Sequence, residues 1–528
     1  MRSRSLLVLA LAGGCSPATT PAATPASPIV AISADELRRD LFVFASDSFQ
    51  GRETGTSGAM RAAKFLADRL ISLGAEPAGD SMYLQRVPLV RQSFGGSSRV
   101  AVRSGQSTIP LEFGTDVVPL VNLGPGAPLP RRNAEGDIVF AGYGMNSEGR
   151  NDFSGISEAG KVIVMLHGAP PSVTDTALRK RLESQDELGQ RLGRALQLQP
   201  VAIVLMMTGG ATEFYSQAAP ELMRTMTPAP GDRSTSDTER PLPMVVFGLA
   251  RPNSPLLPAN WQADDSPRAL TGRTFSGRID LQQDHFTAYN VVAVVRGTDP
   301  RFNKSYVAFG AHYDHIGIQP KSVPDSIANG ADDDGSGSVT LLALAKSLKN
   351  NPPRRSVLFV WHTAEEKGLF GSQYFTNNPT VPIDSIVAHV NLDMVGRRGG
   401  PTADWNSQTQ GDAAANRLYV VGPGAAPNNQ SRALGALLDS VNTRQVRPMD
   451  FDREWDSQEH PERIYYRSDH FNYAQKGIPV LFLTTGLHED YHKVSDEAGK
   501  IDYEKMSRIG VLLLELGTTI ANRETRPR

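Results

Sequence analysis

Between Phe309 and Arg397 the chain repeatedly ends apolar runs in carboxylates and imidazoles: FGAHYDHIG, NGADDDGSGSVTLLALA, SVLFVWHTAEEKGLFGS and IVAHVNLDMVGR. Hydrolysing a stable bond with water at neutral pH needs a Lewis acid, and zinc takes imidazole nitrogen and carboxylate oxygen in a site left open for water. His312, Asp333, Glu366 and Asp393 are of those types. Each falls near the C-terminal end of a predicted strand or in the loop after it, the edge at which open α/β sheets bind ligands. His492, in HEDYHKVSDE after the strand-like run IPVLFLTTG, is a fifth. Such a set of imidazoles and carboxylates leaves a pair of Zn2+ with residual positive charge, enough to draw a proton from a shared water. Glu365 is then left over beside the ligands, placed to receive that proton.

Duller readings of the same residues are weaker. ADDDGSG is no EF-hand, because with Asp332 at its first position Ala343 falls where the bidentate glutamate belongs. Glu365 and Glu366 alone could be an exposed acidic turn favoured by a helix dipole. Asp393 lies in an apolar run, where an unpaired carboxylate is costly and a metal is the simpler account. His488, Glu489 and His492 fit H-E-x-x-H, the single-zinc metalloendopeptidase pattern, which needs a helix to put both imidazoles on one face. Here the pattern follows Gly486 and leads into KVSDEAG, which has no apolar helical face. His167, His285, His362, His389, His460 and His470 read as structural, with Asp469 and His470 in SDHF as weaker pocket candidates.

Taken in order, GAHYDHIG, GADDDGSG, TAEEKGLFGS, NLDMVGR and YHKVSDE resemble the signature blocks of the co-catalytic two-zinc exopeptidase family. That family includes the secreted bacterial aminopeptidases and the glutamate carboxypeptidase II and transferrin receptor relatives. The resemblance implies that Asp333 bridges two zinc ions. It implies that His312 and Asp393 complete one metal and Glu366 and His492 the other, that Glu365 is the general base, and that Asp314 orients the His312 imidazole. The activity implied is that of an aminopeptidase acting on peptides. A carboxypeptidase, a glutaminyl-peptide cyclase on the same scaffold and a non-catalytic, lipid-anchored binding protein are the alternatives.

These ligands need a scaffold. YNVVAVVRG, YVAFGAH and SVLFVWHT read as strands and LLALAKSLKN as an apolar-faced helix, and the alternation predicts a mainly parallel sheet covered by helices on both faces. RLYVVG and IPVLFLTT extend the sheet, and ALGALLDSV and MSRIGVLLLELGTTI supply covering helices. Earlier, Ser33 with Glu36 forms a capping box, and a helix runs through AMRAAKFLADRLISLG to Gly74. GRETGTSG between them resembles the family's entry motif and is read as a glycine-rich connector without chemistry of its own. GDIVFAGYG, GKVIVMLHG and PVAIVLMM are short strands between glycine and proline turns, with a charged helical stretch at Leu178 to Leu196. NDFSGISEAGKVIVMLHGAPP resembles a protease-associated domain. The expected organisation is a signal over residues 1–15, a linker over 16–30, a first catalytic part over 31–114, an inserted β-rich domain over 115–275 and a second catalytic part over 276–528.

The N-terminus places Arg2 and Arg4 before LLVLALA and small residues before Cys15, the only cysteine. It reads as an export signal resembling that of a bacterial lipoprotein, with Cys15 lipidated, a periplasmic or cell-surface anchor, and plain secretion as the alternative. SPATTPAATPASP cannot bury a core and reads as a tether. With 54 basic and 56 acidic residues, net charge −2, nothing points to nucleic acid. The run TADWNSQTQGDAAANR is expected to shape substrate preference without its composition naming a side chain.

Overall fold

The run Tyr306–His312 is aromatic, β-branched and small, and every residue in it is buried. A strand of this kind must be covered on both faces. In the computed structural model it sits inside a ten-stranded sheet, between Ser356–His362 and Ile386–Leu392. Residues 32–121, 130–147, 149–156, 159–209, 211–212, 215, 219, 222–229, 242–319, 325–398 and 416–527 are described. The expected signal, Cys15, the linker and almost all of TADWNSQTQGDAAANR lie outside them.

The sheet order is Arg224–Pro228, Leu84–Phe94, Leu281–Val295, Ser356–His362, Tyr306–His312, Ile386–Leu392, Val480–Thr484, Arg417–Val421, Asp450–Asp452, with Glu76–Pro77 pairing on Leu281–Val295. Its centre is parallel, from Ser356–His362 to Val480–Thr484. Outside the centre, Leu281–Val295 and Arg417–Val421 join antiparallel, so the whole is mixed α/β. Parallel strands end at one edge, and that edge carries the site.

Val307, Phe309 and Ala311 face one apolar cluster, with Leu37 and Leu41, Leu66 and Leu70, Leu341 and Leu344, Leu434 and Leu438, Ile509 and Leu513. Those pairs lie on the helices Ala34–Phe44, Ser57–Leu73, Gly337–Asn350, Arg432–Asn442 and Tyr503–Asn522. Tyr306 and Ala308 face the opposite cluster, with Phe375 and Tyr473 from Phe370–Asn377 and His470–Ala474. The strand's period of two thus feeds two helical layers. The expected helix ends are observed: Ser33 accepts from the Glu36 amide at 3.4 Å, and Gly74 ends its helix in the left-handed region at φ 67°.

A second, eight-stranded sheet runs in the order Ser107–Leu111, Arg99–Ser104, Arg268–Arg278, Asn133–Phe140, Val162–Leu166, Ala202–Met207, Met244–Leu249, Val117–Leu120. It begins at Arg99, ahead of residue 115, while Arg224–Pro228 from inside the 115–275 span pairs with the large sheet. The charged stretch forms two helices, Thr176–Leu182 and Gln185–Gln197, because Ser184 breaks the run and caps the second by accepting from the Glu187 amide at 3.3 Å. Among the described residues no helix is long and apolar enough to cross a membrane.

Candidate metal centre

Each donor leaves the same sheet edge. His312 closes Tyr306–His312, Glu365 and Glu366 follow Ser356–His362, Asp393 follows Ile386–Leu392, and Asp333 lies in the turn Ala331–Ser336 that leads into Gly337–Asn350. His492 comes from the loop beyond Val480–Thr484. They converge on Asp333. Its Oδ1 lies 3.3 Å from His312 Nε2, which is also 3.6 Å from Asp393 Oδ1 and 3.9 Å from Glu365 Oε2. Its Oδ2 lies 3.3 Å from His492 Nε2, which is 2.9 Å from Glu366 Oε2. One carboxylate therefore faces two donor sets, one through each oxygen.

The turns that present these groups are strained and held. Ala364, Met394 and His492 take φ of 54°, 58° and 56°, left-handed values that cost a non-glycine residue about 1–2 kcal/mol each. The Ala364 amide donates to Thr54 Oγ1 at 3.1 Å and the Met394 amide to Asp334 Oδ1 at 3.2 Å, which fixes the backbone beside Glu365 and Asp393. Asp496 Oδ2 accepts from the amides of Asp332 and Asp333 at 2.9 and 3.1 Å. Ser468 donates to Asp393 Oδ2 at 2.7 Å and leaves Oδ1 toward His312. Asp314 meets the His312 ring mainly through its own carbonyl, 3.1 Å from Nδ1, its carboxylate standing 3.9 Å away. That carboxylate instead accepts from Thr54 Oγ1 at 2.9 Å and from the Glu365 amide at 3.1 Å.

Electrostatics separates the two adjacent glutamates. Burial raises Glu365, and Asp393 and Glu366 add to that rise against the opposing His312 charge, so its carboxyl stands well above the ordinary range. Burial also pushes Glu366 upward, but His492 and the hydrogen bonds of His315 and His492 overcome it and hold Glu366 far below. Glu366 is thus held as an anion, and Glu365 as a group ready to exchange a proton.

Three residues here escape the sequence reading. His315, fully buried, donates from Nδ1 to Glu366 Oε1 at 2.8 Å and lies 3.8 Å from Asp333 Oδ2. Gly330 makes room for its ring: at φ 56° a Cβ there would lie 2.5 Å from His315 Cδ2. GRETGTSG is more than a connector. Arg52 is fully buried and donates to the carbonyls of Tyr313, Asn329 and Gly330 at 2.8, 2.5 and 2.8 Å, and Thr54 joins Asp314 to Ala364 as above. Nothing in the spacing of a glycine-rich segment distant in sequence announces this.

The rival H-E-x-x-H reading lacks its geometry. Residues 485–492 form no helix, and His488 Nε2 lies 3.2 Å from Asp332 Oδ2 while His492 turns to Asp333 and Glu366. Asp469 and His470 are buried, and neither lines the cavity at the metal centre.

The donor chemistry fits divalent cations of the zinc type. His312, Asp333 and Asp393 offer one set of mutually close ligand atoms, and His315, Asp333 and Glu366 another. Asp333 Oδ2 is buried and makes no hydrogen bond of ordinary geometry, as a group reserved for a metal would. Fold and site together define an α/β domain with two groups of candidate metal donors that share the Asp333 carboxylate. Residues 290–517, which contain every candidate metal donor named above, match the model of peptidase family M28.

This chain is also similar to named relatives and to solved structures. It is 29% identical over 214 residues to a probable leucine aminopeptidase 2 of Aspergillus oryzae and 27% identical over 240 residues to leucine aminopeptidase 2 of Trichophyton rubrum. These matches take in 39% and 44% of this chain, and the chain spans only 36% and 41% of the relatives' lengths. An aminopeptidase from Aneurinibacillus sp. strain AM-1 superimposes with a TM-score of 0.55 at 18% identity, over 94% of this chain and 96% of its own. A zinc aminopeptidase from Bacillus subtilis gives 0.52 at 17% identity over the same shares, which establishes the fold.

Proposed function

We propose that the protein is a zinc-dependent aminopeptidase that removes N-terminal residues from peptides, with His312, Asp333 and Asp393 holding one ion and Asp333, Glu366 and His492 the other. The observation that carries this reading is the division of Asp333, Oδ1 toward one donor set and Oδ2 toward the other. Bound zinc would supply Lewis acidity at the scissile carbonyl and lower the pKa of water. Glu365 takes the proton of the attacking water as its oxygen bonds to the carbonyl carbon. The same carboxyl then gives that proton to the departing nitrogen as the C–N bond breaks. Met394, Ile464, Phe482 and Leu487 line the cavity beside Glu365 and suit an aliphatic first side chain, in keeping with relatives named leucine aminopeptidases. Hydrolysis of leucine amide tests the assignment: turnover that chelator abolishes and zinc restores supports it, and no turnover in zinc-loaded protein refutes it.

The eight-stranded sheet is read, by resemblance of its sequence, as a protease-associated-like module. The N-terminal pattern supports export with a lipid on Cys15. Radiolabelled palmitate should enter the chain in a bacterial host and be absent from Cys15→Ser.

A further inference from the structure

Trp455 and Leu487 wall the cavity at the metal centre and, with other residues, a second cleft of about 530 Å3. Trp455 is a fixed divider, its ring stacked on Tyr419 with centroids 4.2 Å apart and planes 11° from parallel. The cleft has the size of a ligand-binding pocket, commonly about 300–1,000 Å3. Its lining includes Glu454, Glu462 and Glu489, with Lys180, His460 and His488; Glu462 pairs with Arg467 at 3.6 Å and Glu454 lies 3.9 Å from His460. Lys180 comes from the helix Thr176–Leu182, between strands of the eight-stranded sheet, and Arg463 pairs with Asp186 of the next helix at 3.4 Å. Two parts of the chain distant in sequence therefore build one cleft that adjoins the reacting centre.

We infer that this cleft is the subsite for the peptide residues that follow the scissile bond, that it favours basic side chains, and that the helix Thr176–Leu182 forms part of its wall. The inference rests on the aminopeptidase reading. The small cavity beside Glu365 takes the first residue, so the rest of the chain must leave past its walls, and Trp455 and Leu487 are walls of both spaces. Beyond them three carboxylates stand against two fixed cations, Lys180 and Arg467, and a field of one sign selects side chains of the other.

The experiment compares kcat/KM for the peptides Leu-Lys-Lys-Gly and Leu-Glu-Glu-Gly, with leucine amide as the substrate that does not reach the cleft. Wild type should prefer the lysine peptide by about tenfold at low ionic strength, with the preference shrinking in high salt. Glu489→Lys should lower that ratio by about threefold and Lys180→Glu should raise it by about threefold. Leucine amide should change by less than about twofold in either variant. Opposite shifts from two exposed charge reversals cannot come from misfolding. A ratio that neither variant moves, or that both move in the same direction, while leucine amide is still cleaved, overturns the subsite alone. Failure of zinc-loaded wild type on all three substrates overturns the aminopeptidase reading and the subsite with it.

Discussion

Glu365 and Glu366 are neighbours in sequence with opposite electrostatics: burial, with Asp393 and Glu366, raises the first against the His312 charge, while His492 and His315 overcome burial at the second. Glu365→Gln keeps the shape and removes the proton carrier. It should retain metal content while kcat falls by about 10²–10⁴-fold, the usual worth of a general base; loss of metal with activity would make Glu365 a ligand. His315 gives a second prediction at this scale. Its Nδ1–H holds Glu366 Oε1 and leaves Oε2 toward His492. His315→Ala should weaken metal affinity in a chelator competition by about 10–100-fold, and His315→Asn, which keeps a donor, should recover part of it. Equal loss in both variants would make His315 a ligand in its own right.

The central strands and most of their covering helices were legible from period and punctuation. Tyr306–His312 and Ser356–His362 are uniformly apolar runs of strand length, and Gly74 stops a helix where its left-handed conformation is needed. The donors were legible because chemistry restricts their types and strand ends restrict their positions. The support was not. Arg52 reaches its carbonyls across 261 to 278 positions of sequence, a link that tertiary packing alone creates. His315 carries no mark in the sequence beyond its place three residues after His312 in GAHYDHIG. The sheet limits at Arg99 and Arg224–Pro228 escaped because strand pairing across a long excursion leaves no mark on local periodicity. Arg52→Met removes the buried donors of a turn that carries Asp333. It should cost on the order of 3 kcal/mol in denaturant unfolding, since hydrogen bonds from a charged group are worth about 1.5–3 kcal/mol each. A cost below about 1 kcal/mol would mean the turn holds without it.

At the scale of the molecule, the large sheet gathers the donors at one edge and the second sheet brings Lys180 to the cleft beside them. The metal centre ties together the ends of several strands, so ions bound only by the folded state should stabilise it. At free zinc 1,000-fold above the dissociation constant, linkage gives about 4 kcal/mol per ion. Chelator should therefore lower the melting temperature by several degrees and added zinc should restore it; a melting curve indifferent to both would mean that metal does not bind the fold. A carboxylate divided between two ions requires two ions, and elemental analysis of the chain purified without chelator counts them. About two zinc ions per chain are expected, falling below one in Asp333→Ala. One ion in the wild-type protein, or none after zinc is added, would contradict that division.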